Sequence, residues 1–130
     1  MNNTINAILW RQFGASIDML ENAIAMCPPE VWNTSSKFWY NAYHCLFFLD
    51  YYLTLKPVGF SPPSPFTLSE FDPSGAMPDR VYRKEELLTY LHTNRNKCRE
   101  LLAGLTDEVA ASLWTNESGT MSYPVLEILL

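Results

Sequence analysis

Few residues of this 130-residue sequence promise chemistry beyond packing: two histidines, three cysteines and one aspartate set among aromatics. His44 falls midway along the most apolar stretch of the chain. A neutral imidazole in an apolar wall is the form that binds a divalent metal. The same position equally suits a core histidine bonded to a backbone carbonyl or a tyrosine, and no second ligand stands three or four residues away. His92 is placed between the apolar stripe and the exposed face of a later helix, a boundary position. Asp50 lies six residues beyond His44 and off its face. It reads either as a helix-face acid paired with Lys or Arg, or as the group that orients His44 from behind. Cys45 and Cys98 read as core thiols, and Cys27, beside two prolines, as an exposed one. The sequence holds no glycine-rich phosphate loop, no nucleophile elbow and no paired-carboxylate pattern.

These residues need elements to hold them. Ile5, Ile8, Leu9, Phe13, Ile17, Leu20 and Ile24 keep helical spacing until Cys27-Pro28-Pro29 stops the run, with Asn3 or Thr4 as its cap. A second helix is expected from about Ser36 to Leu55, capped by Ser35 or Ser36. Its stripe is Tyr40, Tyr43/His44, Phe47 and Tyr51, and Lys56-Pro57 ends it. Residues 57–82 differ in kind. They carry six of the nine prolines, and their apolar residues have no helical period. So long an irregular loop is expected to act as a lid, a pocket mouth or a partner surface. A third helix is expected over about Arg83–Ala103, with Glu85 and Glu86 in its first turn and Gly104 at its end. Thr106 caps a short helix ending near Trp114. Residues 115–122 read as a polar loop. Ser122 and Pro124 then open an apolar helical run to Leu130, too short to stand alone. The expectation is an all-α, single-domain four-helix bundle over residues 1–130, its fourth helix incomplete as in a truncated chain.

The bulk numbers narrow the function classes. A net charge of −5 disfavours nucleic acid. The one basic cluster (Arg80, Arg83, Lys84, Arg95, Lys97, Arg99) is interleaved with acids, as a solvated helix face would be. No apolar run is long enough to span a membrane, and no signal peptide is visible. Three cysteines without a close pair make no disulfide framework, so a reducing cytoplasm is expected.

The stretch from Phe38 to Leu53, FWYNAYHCLFFLDYYL, resembles the second helix of the DinB-like (YfiT-like) metalloenzyme family. Met19-Leu20-Glu21 and Cys27-Pro28-Pro29-Glu30-Val31-Trp32 are similar to that family's first helix and first link. Glu85 to Leu91 is similar to its third helix, and Glu127 to Leu130 to the start of its fourth. The resemblance implies an up-down-down-up four-helix bundle, often a homodimer. It implies a divalent metal, zinc or nickel, on three histidines, of which His44 matches the one from helix 2. The other two belong to an H-x-x-x-H that this sequence does not contain. Tyr40, Tyr43, Phe47 and Tyr51 would line the pocket, with Asp50 behind His44. The implied activity is transfer or isomerisation dependent on a low-molecular-weight thiol. The alternative is a non-catalytic helical-bundle module that oligomerises, with His44 a core residue.

Overall fold

The computed structural model describes residues 2–130. The chain is mostly helical. Helix α1 (Asn3–Met26) starts where the Thr4 N–H donates to Asn2 Oδ1 at 2.6 Å, so Asn2 is the cap. The two prolines after Cys27 stop it, and α2 (Pro29–Trp32) is a single turn. Helix α3 (Phe38–Tyr52) is shorter than expected at both ends. No serine caps it. Lys37 precedes it at φ 50°, a left-handed conformation no helix can pass through. At the other end the Thr54 N–H turns back to the Tyr51 carbonyl. Helix α4 (Lys84–Ala103) begins with the Arg83 N–H donating to Glu86 Oε1 at 2.9 Å.

Three contacts orient the long helices. Lys84 Nζ donates to the carbonyls of Ala25 and Cys27, so α4 begins where α1 ends. Asn6 Nδ2 donates to the Leu105 carbonyl at the opposite end, which makes α1 and α4 antiparallel. Asn94 Nδ2 reaches the Leu46 carbonyl and Lys97 Nζ reaches Asp50, so α3 and α4 run the same way. A parallel pair needs a connection spanning its full length, and residues 57–82 supply it.

That connection is largely structural. Phe66 is 8% exposed and stacks on Tyr43 and Tyr90 at ring-centroid distances of 5.5 and 4.5 Å. Tyr82 is buried against Trp39 and Tyr43, and Phe60 packs on Phe47 and Tyr51. Its aromatics add to the direct contacts between α3 and α4. A 3₁₀ turn at Ser69–Phe71 interrupts the irregular backbone.

After α4, Thr106 Oγ1 caps α5 (Asp107–Ala111). The polar loop of the sequence then proves to be the tip of a hairpin. Strand β1 (Leu113–Thr115) pairs antiparallel with β2 (Ser122–Pro124). Trp114 holds it down. Its indole is fully buried and donates to the Thr54 carbonyl at 2.8 Å. Helix α6 (Val125–Leu129) follows, with the Val125 N–H donating to the Ser112 carbonyl and with Leu129 and Phe13 lining one crevice. Among the described residues no helix is long and apolar enough to cross a membrane.

Candidate functional site

Helix α3 divides its aromatics between two faces. Trp39, Tyr43, Phe47 and Tyr51 turn inward, and Tyr43 and Phe47 are wholly buried. Tyr43, Phe47 and Tyr51 are among the residues that the sequence reading placed along a pocket wall, and all three are buried in the core. Tyr40 and His44 stand one turn apart at the rim of that face. Tyr40 is half-buried, and the His44 side chain is 52% exposed. Neither expectation for His44 anticipated an imidazole half in water.

The loop completes the site. The 3₁₀ turn presents Glu70, whose side chain is only 2% exposed. Its Oε2 sits 2.5 Å from His44 Nδ1 and accepts the Tyr40 hydroxyl at 3.2 Å. The turn is fastened to α3 a few residues earlier, where the Tyr43 hydroxyl donates to the Thr67 carbonyl at 3.0 Å. Phe48 flanks the imidazole at 4.9 Å between ring centroids.

Glu70 Oε2 already accepts the Tyr40 hydroxyl, and a hydrogen on His44 Nδ1 lets the same oxygen accept from the imidazole. In neutral His44 the lone pair is then on Nε2, across the ring from Glu70 and away from the buried carboxylate. Burial, then the hydrogen bond to Glu70 and its charge, hold the Tyr40 phenol above its ordinary range. Tyr40 therefore stays a donor and fixes Glu70 in turn.

Asp50 is elsewhere. It is buried against α4, accepting the Tyr90 hydroxyl at 2.8 Å and Lys97 Nζ at 2.6 Å, and Lys97 also donates to Thr54 Oγ1. Of the two readings of Asp50, the structure shows the pairing with a lysine, and the group behind His44 is Glu70, 26 residues from it in sequence. No helical spacing could reveal that partner. Its only trace is an acid set between Leu68 and Phe71 in a stretch otherwise rich in proline. Burial and the neighbouring Asp50 charge raise the Tyr90 phenol far above its ordinary value.

His92 is not drawn into the site. It lies on the exposed side of α4 with Nε2 3.5 Å from Glu21 of α1 and Nδ1 against Arg95. The thiols are also redistributed. All three cysteines are free, with Cys45 exposed and Cys27 and Cys98 buried. Burial pushes the Cys98 thiol up to about 11. Cys45 escapes the core because it follows His44 on the outer side of α3.

A zinc or nickel ion does not fit these residues alone. Among the described residues no group of three or more His, Cys, Asp and Glu converges to hold a metal, and a catalytic zinc site takes three protein ligands. Glu70 cannot join an ion at Nε2, because it occupies the opposite side of the ring. Its second oxygen, Oε1, is buried without a protein partner. No family model matches this chain, and neither a curated protein nor a solved structure matches it.

Proposed function

We propose that this chain is a DinB-like helical-bundle protein whose working group is His44, held by Glu70 and Tyr40 as a proton acceptor for a low-molecular-weight thiol. The supporting observation is the 2.5 Å contact between His44 Nδ1 and a carboxylate that is 2% exposed. A buried carboxylate behind a solvent-facing imidazole fixes the tautomer and stabilises the imidazolium that forms. In the proposed step the thiol S–H gives its proton to Nε2. The thiolate attacks an electrophile and expels its leaving group, and the imidazolium returns the proton to water. General-base assistance of this kind contributes roughly 10²–10⁴-fold.

The bundle part of this reading is supported by α1 antiparallel to α4 and α3 parallel to α4, which suit the first three helices of an up-down-down-up arrangement. The metal-dependent form of the reading needs donors beyond this chain's described residues, from a second copy in a homodimer or another polypeptide. His44 would then contribute Nε2 alone.

A second reading, the oligomerising interaction module, draws on the exposed apolar residues Met19, Met26, Leu113 and Leu130. One experiment separates the two. The rate of 2-mercaptoethanol arylation by 1-chloro-2,4-dinitrobenzene is measured with a Cys45→Ser background, which removes the protein's own exposed thiol. Acceleration over buffer that falls to the buffer rate in His44→Gln supports the enzyme. Equal rates in both proteins would sink it. Repeating the assay with one equivalent of Zn²⁺ or Ni²⁺, alongside sedimentation, tests the metal and the dimer.

A further inference from the structure

One residue past Glu70, the chain opens a second feature that the His44 chemistry does not use. A crevice of about 420 Å³ lies between Tyr51, Pro57 and Phe71 on one side and Asn116, Glu117 and Ser118 of the hairpin tip on the other. That volume falls within the usual range for small-ligand pockets, about 300–1,000 Å³. Its apolar side is built of firm parts. Tyr51 and Pro57 are buried. Phe71 is 42% exposed and meets Tyr51 at 4.9 Å between centroids with the rings 70° apart, so the two form a corner.

The opposite rim is held just as firmly. The tip turns through Gly119 at φ 74°, a conformation that favours glycine. Asn116 locks it, with its carbonyl accepting the Gly119 N–H and its side chain bonded to Thr120 and to the Met121 N–H. Glu117 is thus carried on an ordered turn that lines the same crevice as Tyr51 and Phe71. None of the six lining residues is basic. The Glu117 charge also reaches Tyr51, whose phenol is held above its ordinary range by burial first, then by Tyr52 and Glu117.

An aromatic ring and a carboxylate that line one crevice attract one class of ligand. A cation gains from the ring's electron-rich face and from the carboxylate together, and an organic ammonium also buries its alkyl groups on the apolar side. A phosphate or carboxylate would be repelled, at this rim and by the chain's net charge of −5. We propose that this crevice binds a small organic ammonium group, its cation seated between the Phe71 ring and the Glu117 carboxylate. The site is distinct from His44, and its assignment does not depend on the thiol reading.

The test uses choline and its uncharged carbon isostere, 3,3-dimethylbutan-1-ol, titrated into the full chain at low salt and followed by the ring resonances of Phe71 and Tyr51. The expected result is saturable shifts with choline and binding of the isostere about tenfold weaker or less, the size of a cation–π contribution near a partly desolvated ring. Glu117→Gln and Phe71→Leu are each expected to weaken choline by roughly three- to tenfold, since each removes one of the two attractions. Glu117 is exposed, so that variant leaves the fold intact. Equal binding of choline and the isostere, wild-type affinity in both variants, or no saturable shift at all would overturn the assignment.

Discussion

Replacing Lys97 by methionine should destabilise the protein more than replacing Asp50 by asparagine, although the two residues form one ion pair. The reason is unequal burial. The Asp50 side chain is 8% exposed and the Lys97 side chain 33%, with 2.6 Å between them. Losing the lysine strands a carboxylate in the core with the Tyr90 hydroxyl as its remaining strong donor. Breaking a buried pair from one side costs about 3–5 kcal/mol, and the partial exposure of the pair places the expected loss near the lower end, about 3 kcal/mol. Losing the aspartate charge is milder. The Lys97 ammonium keeps Thr54 Oγ1 and the Asp50 carbonyl, and its stem can carry the charge outward to water. An asparagine still offers Tyr90 an acceptor. The cost should be about 1–2 kcal/mol, the value of a charged hydrogen bond replaced by a neutral one. The double variant should fall short of the sum by at least about 1 kcal/mol, because the second change removes what the first had stranded. Urea unfolding of all four proteins at one temperature measures these quantities. An Asp50→Asn loss equal to or above that of Lys97→Met would refute the reasoning. Arylation in Asp50→Asn should match wild type, since Glu70 and not Asp50 holds His44.

Other outcomes follow from single contacts. Glu86 is held down to about 2 by Arg80, which it meets through both oxygens at 2.8 and 2.6 Å. A carboxylate with a depressed value stabilises the fold above its unfolded value and loses that contribution as pH falls through the folded one. Comparing wild type with Arg80→Ala in urea unfolding should therefore show a small advantage for wild type at pH 6 that vanishes as pH falls from about 4.5 to about 2. Thr106→Ala should cost about 1 kcal/mol, by loss of the cap on the Val109 N–H, and thermal unfolding checks it. With a maleimide under native conditions Cys45 should react first, and Cys27 and Cys98 only on unfolding. Labelling of Cys98 at a rate equal to Cys45 would contradict the burial of α4. Glu70→Gln should slow arylation toward the His44→Gln rate while lowering the unfolding free energy by only about 0.5–1.5 kcal/mol, the loss of one polar contact.

Much of the scaffold was legible because its causes are local. The apolar period from Ile5 to Ile24, the prolines after Cys27 and Lys56, and the acids opening α4 act within a few residues of themselves. They set three long helices and one proline-rich crossing, and the helical class follows from them. The ends of α3 were less legible. Lys37 adopts a left-handed conformation just before the buried Trp39, whose indole donates to Asn33, and no residue type at this position announces it. The hairpin was hidden for a similar reason. Its strands are three residues each, and the anchor is Trp114 reaching Thr54, 60 positions away.

The candidate site divides the same way. Sequence alone determined that His44 stands on an aromatic helix and that the chain is acidic, because residue type, spacing and charge are properties of the chain itself. Only the tertiary structure decided that His44 faces water, that Asp50 turns to Lys97 and Tyr90, and that Glu70 stands behind the imidazole. A helix face is fixed by period, but which neighbour covers it depends on where a distant loop packs. Here the loop packs by its aromatics, Phe66 on Tyr43 and Tyr90, and that burial carries Glu70 to His44.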